Sequence, residues 1–91
     1  MAANFKIKIQ SKNQAAHVFL SGDFDGSSAE ELKLAIEQQW KNHKKIYLHV
    51  DKLRNTNEFG LNIFMDFLSR RRKKAPHIEI TGNPQKFSTW L

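Results

Sequence analysis

The segment 46–50, with the sequence IYLHV, constrains the fold more than any other feature of this chain. It is a nearly continuous run of strand-forming residues, and it follows a segment in which Leu32, Ile36 and Trp40 recur every four residues, as on one face of a helix. Such a strand after a helix is typical of a βαβ unit, where the strand is covered on both sides. We therefore expect a central strand, parallel to the strand before the helix.

The N-terminal segments predict a β-hairpin. Residues 4–10 alternate apolar and polar side chains, which indicates a strand with one buried face. After a polar break at 11–14, the short apolar run 18–20 ends at Ser21-Gly22, as expected for an antiparallel partner strand.

Helices and one more strand complete the predicted order of elements. Ser28 followed by Glu31 has the spacing of a capping box, which predicts a helix start at Ser28. A second amphipathic helix, ending before Pro76, is marked by Leu61, Phe64, Met65 and Leu68. Residues 78–80 predict a last short strand, and a terminal helix is expected after Asn83-Pro84.

This order predicts an α/β fold, a four-stranded mixed sheet with helices packed on it, in one domain over residues 1–91. The chain has no cysteine, which fits a reducing compartment such as the cytoplasm. No segment approaches the roughly 20 apolar residues that span a bilayer, so membrane insertion is not expected.

Two motifs resemble those of STAS domains, the family of the anti-sigma-factor antagonists. Gly22-Asp23-Phe24-Asp25 before a helix start resembles the segment that opens these domains, and the strand 46–50 followed by Gly60-Leu61 resembles their strand, loop and switch motif. The resemblance implies a STAS-like fold over nearly the whole chain and a bacterial regulator of transcription that works by partner switching. The partner would be an anti-sigma factor or a related serine-kinase-type protein. The resemblance implies a partner-binding surface formed by Asp23, Asp25, Asn57, Glu58, Phe59, Gly60 and Leu61.

The switch motif departs from the pattern of the family. Asn57 stands at the aspartate position, Glu58 at the position of the phosphorylated serine, and Phe59 at the next hydroxyl. Phosphorylation is therefore not expected at this site. Glu58 is either an incomplete mimic of phosphoserine or an ordinary carboxylate in the first turn of a helix. Phe59 is either buried in the core or exposed as an interface anchor.

Catalytic and metal-binding residues are not expected. Asp23 and Asp25 are interpreted as turn and helix-entry residues rather than as an acid–base or metal-binding pair. Four histidines at positions 17, 43, 49 and 77 lack the spacing of metal ligands. No phosphate-binding glycine loop or nucleophile motif is present, so we expect neither an enzyme nor a cofactor.

The net charge of +6 is concentrated in the segments 41–45 and 70–74. The basic run Arg70–Lys74 is explained by the negative end of a helix, and no aromatic residues interleave with it, so nucleic acid is not expected as a partner.

The competing functional hypothesis is a soluble accessory subunit of a lipid-transporting membrane ATPase, which STAS domains also resemble. Trp90 and Leu91 are hypothesised to form a contact with a partner or with a second copy in a homodimer.

Overall fold

The computed structural model describes residues 4–71 and 77–82. The elements, in chain order, are β1 (Lys6–Lys12), β2 (Ala15–Phe24), α1 (Gly26–Gln39), β3 (Lys45–Thr56), α2 (Glu58–Arg71) and β4 (His77–Thr81). The four strands form one sheet in the order β1-β2-β3-β4. β1 is antiparallel to β2, whereas β3 is parallel to both β2 and β4. The predicted α/β fold, a four-stranded mixed sheet with a central parallel β3, is confirmed.

Some of the predictions made from the sequence concern residues outside these two ranges. The terminal helix after Asn83-Pro84 and the contact by Trp90 and Leu91 lie outside the described residues, as do positions 72–74 of the basic run.

The hydrophobic core lies on one face of the sheet. Ile46, Leu48 and Val50 of β3 are fully buried and belong to one core cluster with Leu32 of α1 and Phe64 of α2. The alternate β3 positions 47 and 49 point to the opposite face, where their side chains are only half-buried. The expectation that β3 is covered on both sides is therefore wrong, because its aromatic residues occupy a face that remains accessible to solvent.

The hairpin is longer and tighter than the sequence pattern predicts. Lys12 pairs with Ala15, so the turn contains only Asn13 and Gln14, whose φ angles are 53° and 66°. Two successive positive φ angles are characteristic of the two-residue turns that match the twist of paired strands. The predicted polar break at 11–14 therefore begins two residues too early.

β2 continues beyond its predicted end at Ser21-Gly22. Gly22 has a φ of 89° and lies at an irregularity in the pairing of β2 with β3, after which the strand runs on to Phe24. A Cβ atom at Gly22 would collide with the backbone carbonyl of Asn4. Glycine here permits a bulge and a close backbone approach, and does not terminate the strand.

Both α1 and α2 have 14 residues. Within the described part of the chain, no helix is both long and apolar enough to cross a membrane.

Candidate partner-binding site

Asp25 is the N-cap of α1. Its carboxylate accepts hydrogen bonds from the backbone N–H of Ser28 at 2.9 Å and from the hydroxyl of Ser27 at 2.8 Å. These bonds lower the pKa of Asp25 from 3.8 to about 2, and the bond from the backbone of Ser28 has the largest effect. Asp25 is thus a structural residue that remains ionised at neutral pH.

The predicted capping box is wrong, because the helix starts earlier than Ser28. Ser28 is the third residue of α1 and is fully buried. Its hydroxyl donates to the backbone carbonyl of Asp23 at 3.0 Å and also lies 3.1 Å from the Asp25 carboxylate. Ser28 therefore fastens the turn before the helix, while Glu31 is exposed on the helix surface.

Asn57 has the same role at the start of α2. Its side-chain oxygen accepts hydrogen bonds from the backbone N–H of Phe59 at 2.8 Å and of Gly60 at 3.2 Å. The backbone N–H of Asn57 donates to the carbonyl of Phe24, at the end of β2, at 2.7 Å. Asparagine at this position therefore provides a helix cap without a negative charge.

The two helix starts are in direct contact. A Cβ atom added to Gly60 would lie 2.5 Å from the backbone oxygen of Asp25. A Cβ atom added to Gly26 would lie 3.0 Å from Cε2 of Phe59, so the Phe59 ring rests against the first residue of α1. The structure therefore brings the two motifs that carry the resemblance together on one surface.

The candidate residues differ in their exposure on this surface. Asn57 and Glu58 are exposed, and the side chain of Phe59 is 67% exposed. Of the two alternatives for Phe59, exposure is therefore correct and burial in the core is not. Gly60 and Leu61 are buried, so they position the loop and do not face solvent.

Asp23 is half-buried at the edge of the same surface. Its carboxylate accepts a hydrogen bond from the side-chain amide of Asn55 at 3.0 Å, which links the ends of β2 and β3. Within residues 4–71 and 77–82, no group of three histidine or acidic residues could hold a metal ion.

A shallow groove of about 490 Å³ lies between α1 and α2, and it adjoins this surface at Ile63, which lines the groove and is also a neighbour of Gly26. It contains Leu34, whose side chain is 61% exposed. Two ion pairs of 2.9 Å flank it, Lys33 with Glu30 and Arg70 with Asp66. Leu34 could not be recognised from the sequence as a site residue, because it lies off the four-residue repeat that marks the buried face of α1.

No protein-family model and no curated protein matches the chain in sequence. Among solved structures, the anti-sigma-factor antagonist STAS domain from Rhodobacter sphaeroides superimposes with a TM-score of 0.72 at 12% identity, covering 98% of both chains. The chain has a STAS-like fold. An anti-sigma factor antagonist from Mycobacterium paratuberculosis gives a TM-score of 0.68 at 16% identity, over 94% of this chain and 77% of the other.

The STAS-like fold also matches part of a larger protein. Mglu superimposes with a TM-score of 0.75 at 12% identity over 86% of this chain, which corresponds to only 20% of the Mglu chain. At these identities the structural likeness establishes the fold and not the activity.

Proposed function

We propose that this chain is a regulatory protein-binding module that docks on an anti-sigma factor or a related serine-kinase-type protein, and that it is not an enzyme. The fold shared with anti-sigma-factor antagonists supports this role. The single observation that carries the proposal is the exposed Phe59 at the start of α2, beside the Asp25 cap.

The Phe59 surface is well suited to binding a protein. Large aromatic residues are enriched among the residues that dominate binding energy, and rigid anchors lose little entropy on binding. The backbone of Phe59 is held by Asn57, and its ring rests on Gly26. The adjoining α1–α2 groove, with Leu34, extends the surface by which a partner would be held.

We infer that this module is not released by phosphorylation at the usual position. Glu58 is exposed in the first turn of α2 and has no hydroxyl to accept a phosphoryl group. Its single negative charge is smaller than the −1.5 to −2 of a phosphoserine at pH 7. A kinase partner would therefore not release this chain by phosphorylating it at position 58.

The first experiment is an affinity purification from the native cell extract, followed by reconstitution with the purified partner. We expect capture of a soluble kinase-type ATPase, and Phe59→Ala should weaken the reconstituted complex about tenfold or more. Phe19→Ala is the matched control, because Phe19 is also exposed but lies on the opposite face of the sheet. Equal loss in both variants would contradict the proposed surface.

The second experiment tests the missing switch. Glu58→Ser should be phosphorylated by the purified partner in the presence of ATP and then released, whereas the wild-type chain should stay bound. Glu58→Gln is the control, because it removes the charge without adding a hydroxyl. Capture of a membrane ATPase whose binding is indifferent to all substitutions at position 58 would instead support the accessory-subunit hypothesis.

A further inference from the structure

The sheet face opposite the helices has a cluster of stacked rings. His17 pairs with Tyr47 and Phe19 with His49 across β2 and β3. The ring centroids of these pairs lie 4.8 and 4.3 Å apart, with the ring planes within 16° and 10° of parallel. The two histidines are 32 residues apart in sequence, so only the strand register brings them together.

Phe19 and His17 are the two rings of this cluster on β2, the strand next to β1. One neighbour of Phe19 is His49 on β3, and its other strand partner is Lys8 on β1. Two shallow hollows of about 350 and 570 Å³ adjoin Phe19 on this side of the sheet, and its side chain is 36% exposed. A flat aromatic group can therefore reach the Phe19 ring from the β1 side.

Lysine side chains line the same two hollows. Lys6, Lys8 and Lys52 line the smaller hollow, and Lys12 lines the larger one. Residues two positions apart on a strand share a face and are separated by about 6.6 Å, so Lys6, Lys8 and, beyond Gln10, Lys12 form a row along the sheet edge. All four of these lysines are exposed.

Two acidic groups of this face lie on its β3–β4 side. Glu79 of β4 pairs with Tyr47, and Asp51 of β3 is close enough to influence the charge of His49. Asp23 lies at the far end of β2, where it accepts a hydrogen bond from Asn55. Around Phe19 the β1–β2 half of the face is therefore basic and aromatic, whereas the β3–β4 half has both signs of charge.

We propose that the β1–β2 half of this sheet face binds single-stranded nucleic acid, with a base stacked on Phe19 and phosphates along Lys6, Lys8 and Lys12. Aromatic stacking platforms beside a basic track are the recurring solution for binding single strands, because every base has a π-face. A duplex fits poorly, since its bases are stacked on one another. A second copy of the chain fits poorly as well, because it would bring the same lysines together.

This proposal differs from the prediction, made from the sequence, that nucleic acid is not a partner. That expectation rested on the run Arg70–Lys74, which has no interleaved aromatic residues. On the sheet face, lysine and phenylalanine do interleave, but they come from different strands, and the pattern is visible only once β1 and β2 are paired.

The test is fluorescence anisotropy of a labelled single-stranded RNA of about 12 nucleotides with the full chain, in salt from about 50 to 200 mM. We expect affinity to fall with salt. Replacing Lys6, Lys8 and Lys12 with Gln should lower affinity about tenfold or more and reduce the slope of log K against log salt by about 2. Phe19→Ala should lower affinity about tenfold and leave the slope unchanged.

Matched controls distinguish binding at this site from nonspecific electrostatic attraction of RNA to a basic protein. Replacing Lys33, Lys41 and Lys44 with Gln removes the same charge elsewhere on the chain, and Phe59→Ala removes an aromatic side chain on the helical side. Both should bind within about twofold of wild type. Phe19→Leu preserves apolar volume without a π-face, so it should fold normally and still bind weakly.

Three outcomes would overturn the proposal. The first is no saturable binding of the RNA by the wild-type chain at the lowest salt. The second is an equal loss of affinity in the two lysine variants. The third is tight binding to phosphatidylserine vesicles together with RNA binding that Phe19→Ala and Phe19→Leu leave unchanged, which would assign the face to an anionic membrane surface. None of these results depends on the Phe59 surface, so they leave the proposed protein-binding role untouched.

Discussion

Nδ1 of His17 lies 3.0 Å from Nε2 of His49, across adjacent parallel strands on the exposed face of the sheet. The other ring nitrogen of His49, Nδ1, lies 2.7 Å from the hydroxyl of Thr81. A neutral imidazole has one donor and one acceptor nitrogen, so in the neutral pair one of the two facing nitrogens donates and the other accepts. If both rings were protonated, two donors and two positive charges would face each other.

The first prediction is a loss of stability in mild acid. Burial, followed by the nearby charge of His17, lowers the pKa of His49 below its ordinary 6.5, and the carboxylate of Asp51 acts in the opposite direction. The unfolded state therefore binds a proton more readily than the folded state. This contribution to stability is complete above pH 6.5 and is lost as the pH falls through the lowered folded-state pKa.

Urea unfolding at a series of pH values between about 7.5 and 5 measures this effect. His49→Gln should flatten the dependence of the unfolding free energy on pH. His77→Gln serves as the control, because His77 is exposed on the edge strand β4. If His49→Gln keeps the full wild-type slope over this range, the histidine pair is not the origin of the pH dependence.

The second prediction concerns the cap of α1. The pKa of Asp25 is lowered to about 2 in the folded chain, from 3.8, so the folded state favours the carboxylate. Its contribution is present above pH 3.8 and is lost as the pH falls through about 2. Asp25→Ala should lower the Tm at pH 7 by roughly a few degrees, whereas Asp25→Asn should retain the cap and lose this acid dependence.

Thermal unfolding followed by circular dichroism checks this assignment. Glu31→Ala is the control, because the Glu31 side chain would be needed in a capping box that starts at Ser28 but is simply exposed when Asp25 is the cap. A lower Tm for Glu31→Ala, with no change for Asp25→Ala, would show that Ser28 and Glu31 form the cap instead.

The order of elements could be predicted from sequence because it depends on local periodicity. The four-residue repeat through Leu32 and Ile36 and the strand-forming run at 46–50 identified α1 and β3 without any tertiary information. The parallel pairing of β2 with β3 then followed from the helix between them.

The first residue of α1 and the exposure of the second face of the sheet could not be predicted in the same way. Asp25 and Ser28 are both favourable N-cap residues, and the choice between them depends on the bond from Ser28 to the Asp23 carbonyl. Tyr47 and His49 form part of an apolar run but face away from the core, because burial of a strand face depends on what packs over it. Phe59 is exposed because α2 packs against the core through Leu61 and Phe64, which leaves Phe59 uncovered.

The third prediction tests the contact between the two helix starts. Gly60→Ala places a methyl group against the backbone oxygen of Asp25, which cannot move without disturbing the cap. We expect a loss of about 1–3 kcal/mol of unfolding free energy, although alanine is the better helix former. Gly26→Ala meets side chains and not backbone, namely the exposed ring of Phe59 at 3.0 Å and Cδ1 of Ile63 at 3.6 Å. The ring needs to shift by only a few tenths of an ångström, so a change below about 1 kcal/mol is expected.

Chemical denaturation of both glycine variants, with circular dichroism to confirm the helical content, makes the comparison. Equal stability of Gly60→Ala and wild type would show that the two helix starts are further apart than the structure places them.

The fourth prediction compares a core leucine with the exposed leucine of the groove. Leu48 is fully buried at the centre of β3, whereas the side chain of Leu34 is 61% exposed on α1. Leu48→Ala removes buried methyl groups and leaves a cavity, which should cost about 2–5 kcal/mol. Since a domain of this size has only about 5–15 kcal/mol of stability, this change should shift the urea midpoint strongly.

Leu34→Ala removes the same atoms from the surface, so its unfolding free energy should stay within about 0.5 kcal/mol of wild type. Equilibrium urea unfolding of the two variants, fitted with the wild-type m-value, gives both differences directly. A large loss in Leu34→Ala would mean that Leu34 is covered in solution, by a second copy of the chain for example. A concentration-dependent midpoint would then identify that contact, because association stabilises the folded state by mass action.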